Sequence, residues 1–111
     1  MVLSNRLVDQ FKRDELKFGL CDKNRNEPTD YSYKRRTIEY YLFKETSANK
    51  YTNIHTFYYG SVGNWGIVTH VVAFDSSGMA VGFDPITNGV FNVRLGDHIV
   101  FCDGDASIEF I

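Results

Sequence analysis

Leu3, Leu7, Val8 and Phe11 recur at the three- and four-residue spacing of a helix, and Leu16 and Phe18 extend the stripe. Asn5, Arg6, Asp9, Lys12, Arg13 and Glu15 fill the other positions, so the spacing predicts an amphipathic helix over residues 1–19 with one covered face. Ser4 suits its N-terminal cap, and Gly19 suits the position just past its end. Residues 20–36, dominated by the run CDKNRNEPTDYSYKRR, have no apolar period and read as a long polar loop. Loops of this length in a small fold are uncommon, and carry function or move.

From Thr37 the period becomes two. TIEYYLF sets Ile38, Tyr40 and Leu42 against Thr37, Glu39 and Tyr41, and NIHTFYY alternates likewise. WGIVTHVVAF is apolar on both faces, the signature of a central strand covered on both sides. MAVGF, VFNVRL, HIVFC and SIEFI follow, separated by Ser77-Gly78, Asn88-Gly89, Gly96 and Asp103-Gly104, which favour tight turns between antiparallel neighbours. The expected fold is α+β: one N-terminal amphipathic helix packed on a six- or seven-stranded, mainly antiparallel meander sheet over residues 37–111.

The 111 residues suit a single domain with a real core, and 15% aromatic content concentrates packing in a few large side chains. No apolar run approaches the ~18 residues that span a bilayer, and charges interrupt the N-terminal stretch every few positions, which argues against an export signal or a membrane role. Cys21 and Cys102 are then expected as free thiols in a reducing, cytoplasmic setting. The net charge of −2 hides an asymmetry: all the Lys and Arg except Arg94 lie in residues 1–50, whereas the second half is acidic. Such polarity suits a charged partner on one side.

Within the apolar run sits one imidazole, His70. Buried and neutral, it needs a partner for both ring nitrogens, and Asp84 on the returning strand could supply one. A histidine opening a β-hairpin, a glycine turn, and Asp84-Pro85 closing the returning strand resemble the His–Asp half of papain-like cysteine peptidases over residues 65–95. The resemblance implies His70 as the base, Asp84 as its orienting residue and Cys21 as the nucleophile. In that family the cysteine opens a buried helix, whereas Cys21 follows one and precedes a polar run. A structural role for His70 and Asp84 is therefore the expectation.

Metal chemistry has little support, since His98 and Cys102 on one strand lie about 13 Å apart and no paired Cys/His spacing exists. No cofactor motif is present: GSVGNWG opens no helix. YSYKRRTIEYY interleaves rings with Lys34, Arg35 and Arg36, a pattern that could stack single-stranded nucleic acid, although the acidic chain supplies few phosphate contacts. Every tyrosine lies between positions 31 and 59, and tyrosine with arginine is what most often anchors a protein interface. The favoured expectation is a non-catalytic interaction protein docking Tyr31, Tyr33, Lys34, Arg35, Arg36, Tyr41 and Tyr59 on a protein partner. The profile also fits accessory or inhibitor proteins of phages and viruses, and an exposed edge strand could pair two copies.

Overall fold

Among the described residues, 50–86 and 91–110 fold as a long β-ribbon in which strands of one arm pair with strands of the other. Tyr51 faces Ile108, Tyr59 faces Ile99, Ile67 faces Asn92 and Val72 faces Phe83, nested around a turn at Ser76–Gly78. The outgoing arm is β5 (Lys50–Asn53), β6 (Phe57–Gly60), β7 (Gly66–Val68) and β8 (His70–Phe74). The returning arm is β9 (Ala80–Pro85), β10 (Phe91–Val93), β11 (His98–Phe101) and β12 (Ser107–Phe110). This computed structural model describes residues 1–86 and 91–111, so the expected Asn88-Gly89 turn lies outside the described residues.

Two of the ribbon's interruptions lie between β5 and β6 and between β6 and β7. At the outer break Asn53 is buried, and its side chain satisfies both arms: Nδ2 donates to His55 O at 3.1 Å and Cys102 O at 2.9 Å, while Oδ1 accepts from Ala106 N–H at 2.9 Å. At the inner break Ser61 and Asp97 keep the arms paired through backbone contacts. The meander of consecutive hairpins expected from the turn signals is therefore corrected to nested pairing: Ser77-Gly78 does close a hairpin, whereas Gly96 and Gly104 sit at bends inside the returning arm.

The first half of the chain adds strands to both ends of the ribbon. β1 (Val2–Leu3) runs parallel to β12, giving a four-stranded sheet in the order β1-β12-β5-β4, with β4 at Phe43–Ser47. β2 (Lys17–Cys21) pairs antiparallel with β8, and β3 (Arg36–Thr37) pairs with β2, giving a second sheet in the order β3-β2-β8-β9. The structure is α+β and predominantly antiparallel, with several sheets where one was expected. No helix among the described residues is long and apolar enough to cross a membrane.

The expected helix over 1–19 shrinks to a 3-10 turn at Asn5–Leu7, which Ser4 caps, and α1 (Val8–Lys12). Asp14 ends it in the left-handed region at φ 60°, and its carboxylate accepts from Tyr40 N–H. Leu3, Leu7 and Phe11 are buried as the spacing required, but Leu16, Phe18 and Leu20 are buried at the period of a strand. Phe11 sits at the centre of the first sheet's aromatic core, edge-on to Tyr40, Phe43 and Tyr51. TIEYYLF is not a strand, because Tyr40–Leu42 form a 3-10 turn that carries the chain across this core.

Candidate functional site on the outer face of the second sheet

Alternation divides the second sheet into two faces. Phe18, Leu20, Val71 and Ala73 point into the main core, whereas Gly19, Cys21, His70, Val72 and Phe74 point outward. The single strand expected over 65–74 breaks at Thr69. Its N–H donates to Cys21 O and its C=O accepts from Ile86 N–H, so alternation slips and the core takes both Val68 and Val71. His70 consequently does not share a face with Val68.

The register sets Cys21 directly opposite His70, two of the three candidate catalytic residues. The third is elsewhere. Asp84 pairs with Val71, one residue out of step with His70, so its carboxylate projects from the other face of the sheet. There it lies 3.2 Å from the Met1 amino group, beside a cavity of about 150 Å³ lined by Phe18, Val71, Phe101 and Ser107. The expectation that Asp84 orients His70 is corrected on that ground. His70 Nδ1 instead shares a 2.6 Å hydrogen bond with Thr69 Oγ1, and its ring stacks on Phe83 with centroids 4.4 Å apart.

Cys21 is fully buried beside Val72 and Phe74. Burial, reinforced by the negative charges of Asp22 and Glu27, pushes its thiol up to about 11. That environment favours a protonated sulfur, the opposite of what a thiolate nucleophile needs. Cys102 is exposed and opens the turn at Cys102–Asp105, where its N–H donates to Asp105.

Over this outer face runs a strap, residues 22–35, that carries neither helix nor strand. Its start is a tight turn in which Asp22 Oδ1 accepts from Asn24 and Asn26 N–H and Arg25 N–H donates to Asp22 O. Arg25 takes φ 65° there, and its guanidinium lies 4.5 Å over the Phe83 ring. Further along, Tyr33 Oη accepts from Leu20 N–H at 2.8 Å and donates to Glu27 Oε2 at 2.7 Å. Arg35 donates to the other Glu27 oxygen at 2.8 Å and packs 3.4 Å over the Phe74 ring. Burial alone would raise the Glu27 carboxyl, but hydrogen bonds from Arg35 and Tyr33 outweigh it and hold the group below its ordinary range. Burial and the bond to Glu27 push the Tyr33 phenol up.

This latch closes on Gly19. A Cβ there would meet Tyr33 Oη at 2.7 Å, Glu27 Oε2 at 2.8 Å and Phe74 Cε2 at 2.9 Å. Glycine is needed at this position for close approach of the strap, not as the helix terminator the sequence suggested. Between the strap and β9 a groove of about 380 Å³ remains, lined by Arg25, Glu27, Val72, Phe74, Val81 and Phe83 among others.

The expected docking band divides into inner and outer members. Tyr59 is buried and donates to Phe18 O at 2.9 Å, so it belongs to the core. Tyr33 and Arg35 are engaged in the latch, and Arg36 pairs with Glu39 and lies 5.5 Å over Phe57. Tyr31 at 91% and Tyr41 at 64% are exposed, as is Lys34. Tyr41 lies near His55, and the neighbouring Glu39 carboxylate pushes its phenol up. The sequence also allows Tyr58 on an exposed face but gives it no partner: Tyr58 at 54% and Val100 at 48% are cross-strand neighbours on the outer face of the β6–β11 ribbon, with His98 edge-on to Tyr58. Strict alternation around the buried Phe57, Tyr59, Ile99 and Phe101 was the signal for it.

Among the described residues no three His, Cys, Asp or Glu side chains converge as metal ligands do. Arg25, Glu27 and Phe83 also went unnoticed, although apolar Val81 and Phe83 alternate with Gly82 and Asp84 in the sequence. Comparison of the chain with protein-family models and with curated proteins finds no match to either.

Proposed function

We propose that this chain is a small non-catalytic module that works by docking on a protein partner. The observation that carries the reading is the Tyr58–Val100 pair, a large aromatic and a branched aliphatic side chain half-exposed opposite each other on a two-stranded ribbon. Sheets normally turn polar residues outward, and an apolar pair in that position gains by being covered. Tyr41 and Tyr31 are also exposed, and tyrosines bury large area at low entropic cost.

A photo-crosslinking amino acid placed at Tyr58, with Lys44 on the charged β4 edge as control, tests this in the native host. A discrete protein adduct from position 58, absent from position 44 and lost in Val100→Ser, is the expected result. Equal adducts from both positions would overturn it.

A second reading, a thiol hydrolase or transferase of papain-like type, is favoured by the Cys21–His70 register alone. Against it stand a thiol raised to about 11 and the Asp84 carboxylate on the opposite face. Iodoacetamide distinguishes the two: labelling at Cys21 near neutral pH, faster than at exposed Cys102 and slowed by His70→Ala, would replace the docking reading with catalysis.

A further inference from the structure

We infer that the groove between the strap and β9 receives a short extended segment of a partner protein bearing a carboxylate next to an apolar side chain. The inference rests on the docking reading above and assigns it a ligand chemistry.

Three observations converge on that ligand. The groove wall is apolar at Val72, Phe74, Val81 and Phe83, and its volume of about 380 Å³ lies at the small end of binding pockets. Its charge is asymmetric. Glu27 is already neutralised by Arg35, whereas Arg25 pairs with no carboxylate among the described residues. The open charge at the groove is therefore positive, and a guanidinium lying beside an aromatic face is suited to a carboxylate with an apolar neighbour. Arg25 is also preorganised, because its backbone is fixed by the Asp22 turn.

The extended shape follows from the sheet edge. β9 has a strand neighbour on one side only. Ile86 N–H donates to Thr69 O, which fixes the alternation: Asp84 and Gly82 direct their backbone groups toward β8, and Phe83 directs its N–H and C=O outward. A segment laid beside Phe83 gains main-chain hydrogen bonds and brings its side chains over the groove. The register shift between Ala73 and Phe74 and the absent N–H of Pro85 close the edge on either side. One short segment fits there, and a propagating sheet of copies does not.

The test is titration of the ¹⁵N-labelled full chain with the N-acetylated, C-amidated peptide TLDVT, its neutral twin TLNVT, and sodium isovalerate. TLDVT should shift the Gly82, Phe83 and Arg25 amides and bind at least five-fold more tightly than TLNVT. Arg25→Gln, at an exposed position, should erase that preference without changing Tm, and Arg25→Lys should restore part of it. Equal affinity for the two peptides, or isovalerate matching TLDVT on the same amides, would overturn the inference. Shifts confined to Tyr41, Tyr58 and Val100 would overturn the groove while leaving the docking reading intact. Rapid alkylation of Cys21 would remove the docking reading itself.

Discussion

Replacing Gly19 by alanine puts one methyl group into the most crowded contact between strap and sheet. All three atoms it would meet lie under 3.0 Å away, and two of them, Tyr33 Oη and Glu27 Oε2, are bonded to each other at 2.7 Å. Neither can retreat without breaking the latch. Overpacking of this kind costs about 1–3 kcal/mol, and parting Tyr33 from Leu20 leaves a poorly solvated N–H unpaired for about another 1–3 kcal/mol. The total, about 2–6 kcal/mol, is a large share of the ~5–15 kcal/mol that holds a typical domain folded. Urea denaturation reads the global loss, with Tm expected to fall by about 10 °C or more. Hydrogen exchange at the Leu20 amide reads the latch itself, because that N–H is the one Tyr33 accepts. Gly78→Ala is the control, since φ 85° there strains the backbone while a Cβ meets nothing within 4 Å. It should cost about 1–2 kcal/mol and leave Leu20 protected. A Gly19→Ala protein within about 0.5 kcal/mol of the parent, with Leu20 exchange unchanged, would refute the latch.

Two further outcomes are expected. Asn53→Ala should lower stability by about 1–3 kcal/mol, because it removes a buried side chain whose hydrogen bonds hold partly buried backbone groups of both ribbon arms. An unchanged urea midpoint would show that Asn53 is no keystone. The Glu27 carboxyl is held below its ordinary value of 4.5, so its contribution is complete above that pH and is lost as pH falls through the lower folded value. Leu20 amide protection should therefore collapse on acidification below pH 4.5 in the parent, and Glu27→Gln should show weak protection at neutral pH with no such acid limb. Identical pH profiles for the two proteins would remove Glu27 from the latch.

Much of the architecture was legible because period-two alternation is a local signal. The strands around Tyr58, Ile99 and Ile108 follow from it directly. Pairing order was not legible, since glycine turn signals mark a bend inside an arm and a hairpin end alike. The N-terminal misreading has a similar cause. Leu3, Leu7 and Phe11 are spaced as on a helix and are buried, yet Leu3 sits in a strand and only Val8–Lys12 is α-helical, after the 3-10 turn at Asn5–Leu7. The break there depends on Asp14 adopting φ 60°, which its identity permits but does not announce.

The candidate chemistry was legible as residue types and illegible as faces. His70 and Asp84 are separated by a one-residue register offset, below the resolution of any spacing argument. Cys21 came to lie opposite His70 through β2 inserting beside β8, a non-local pairing with no local mark. Within the band, Tyr58 and Tyr59 are adjacent in the chain and opposite in fate, one exposed and the other buried with its hydroxyl on Phe18 O. Composition gathered the tyrosines, but only alternation against a core could sort them.

Nested arms also dictate how the molecule can assemble. Once the Ser76–Gly78 bend has brought Phe74 to Ala80, each successive pair out to Glu109 closes only a small additional loop, so zipping outward avoids repeating the entropic cost of a long closure. The parallel contact of Val2 with Glu109 is of another kind, because no turn joins these residues, which lie far apart in sequence. Such a non-local pairing raises the mean sequence separation of the native contacts, and folding slows as that separation grows.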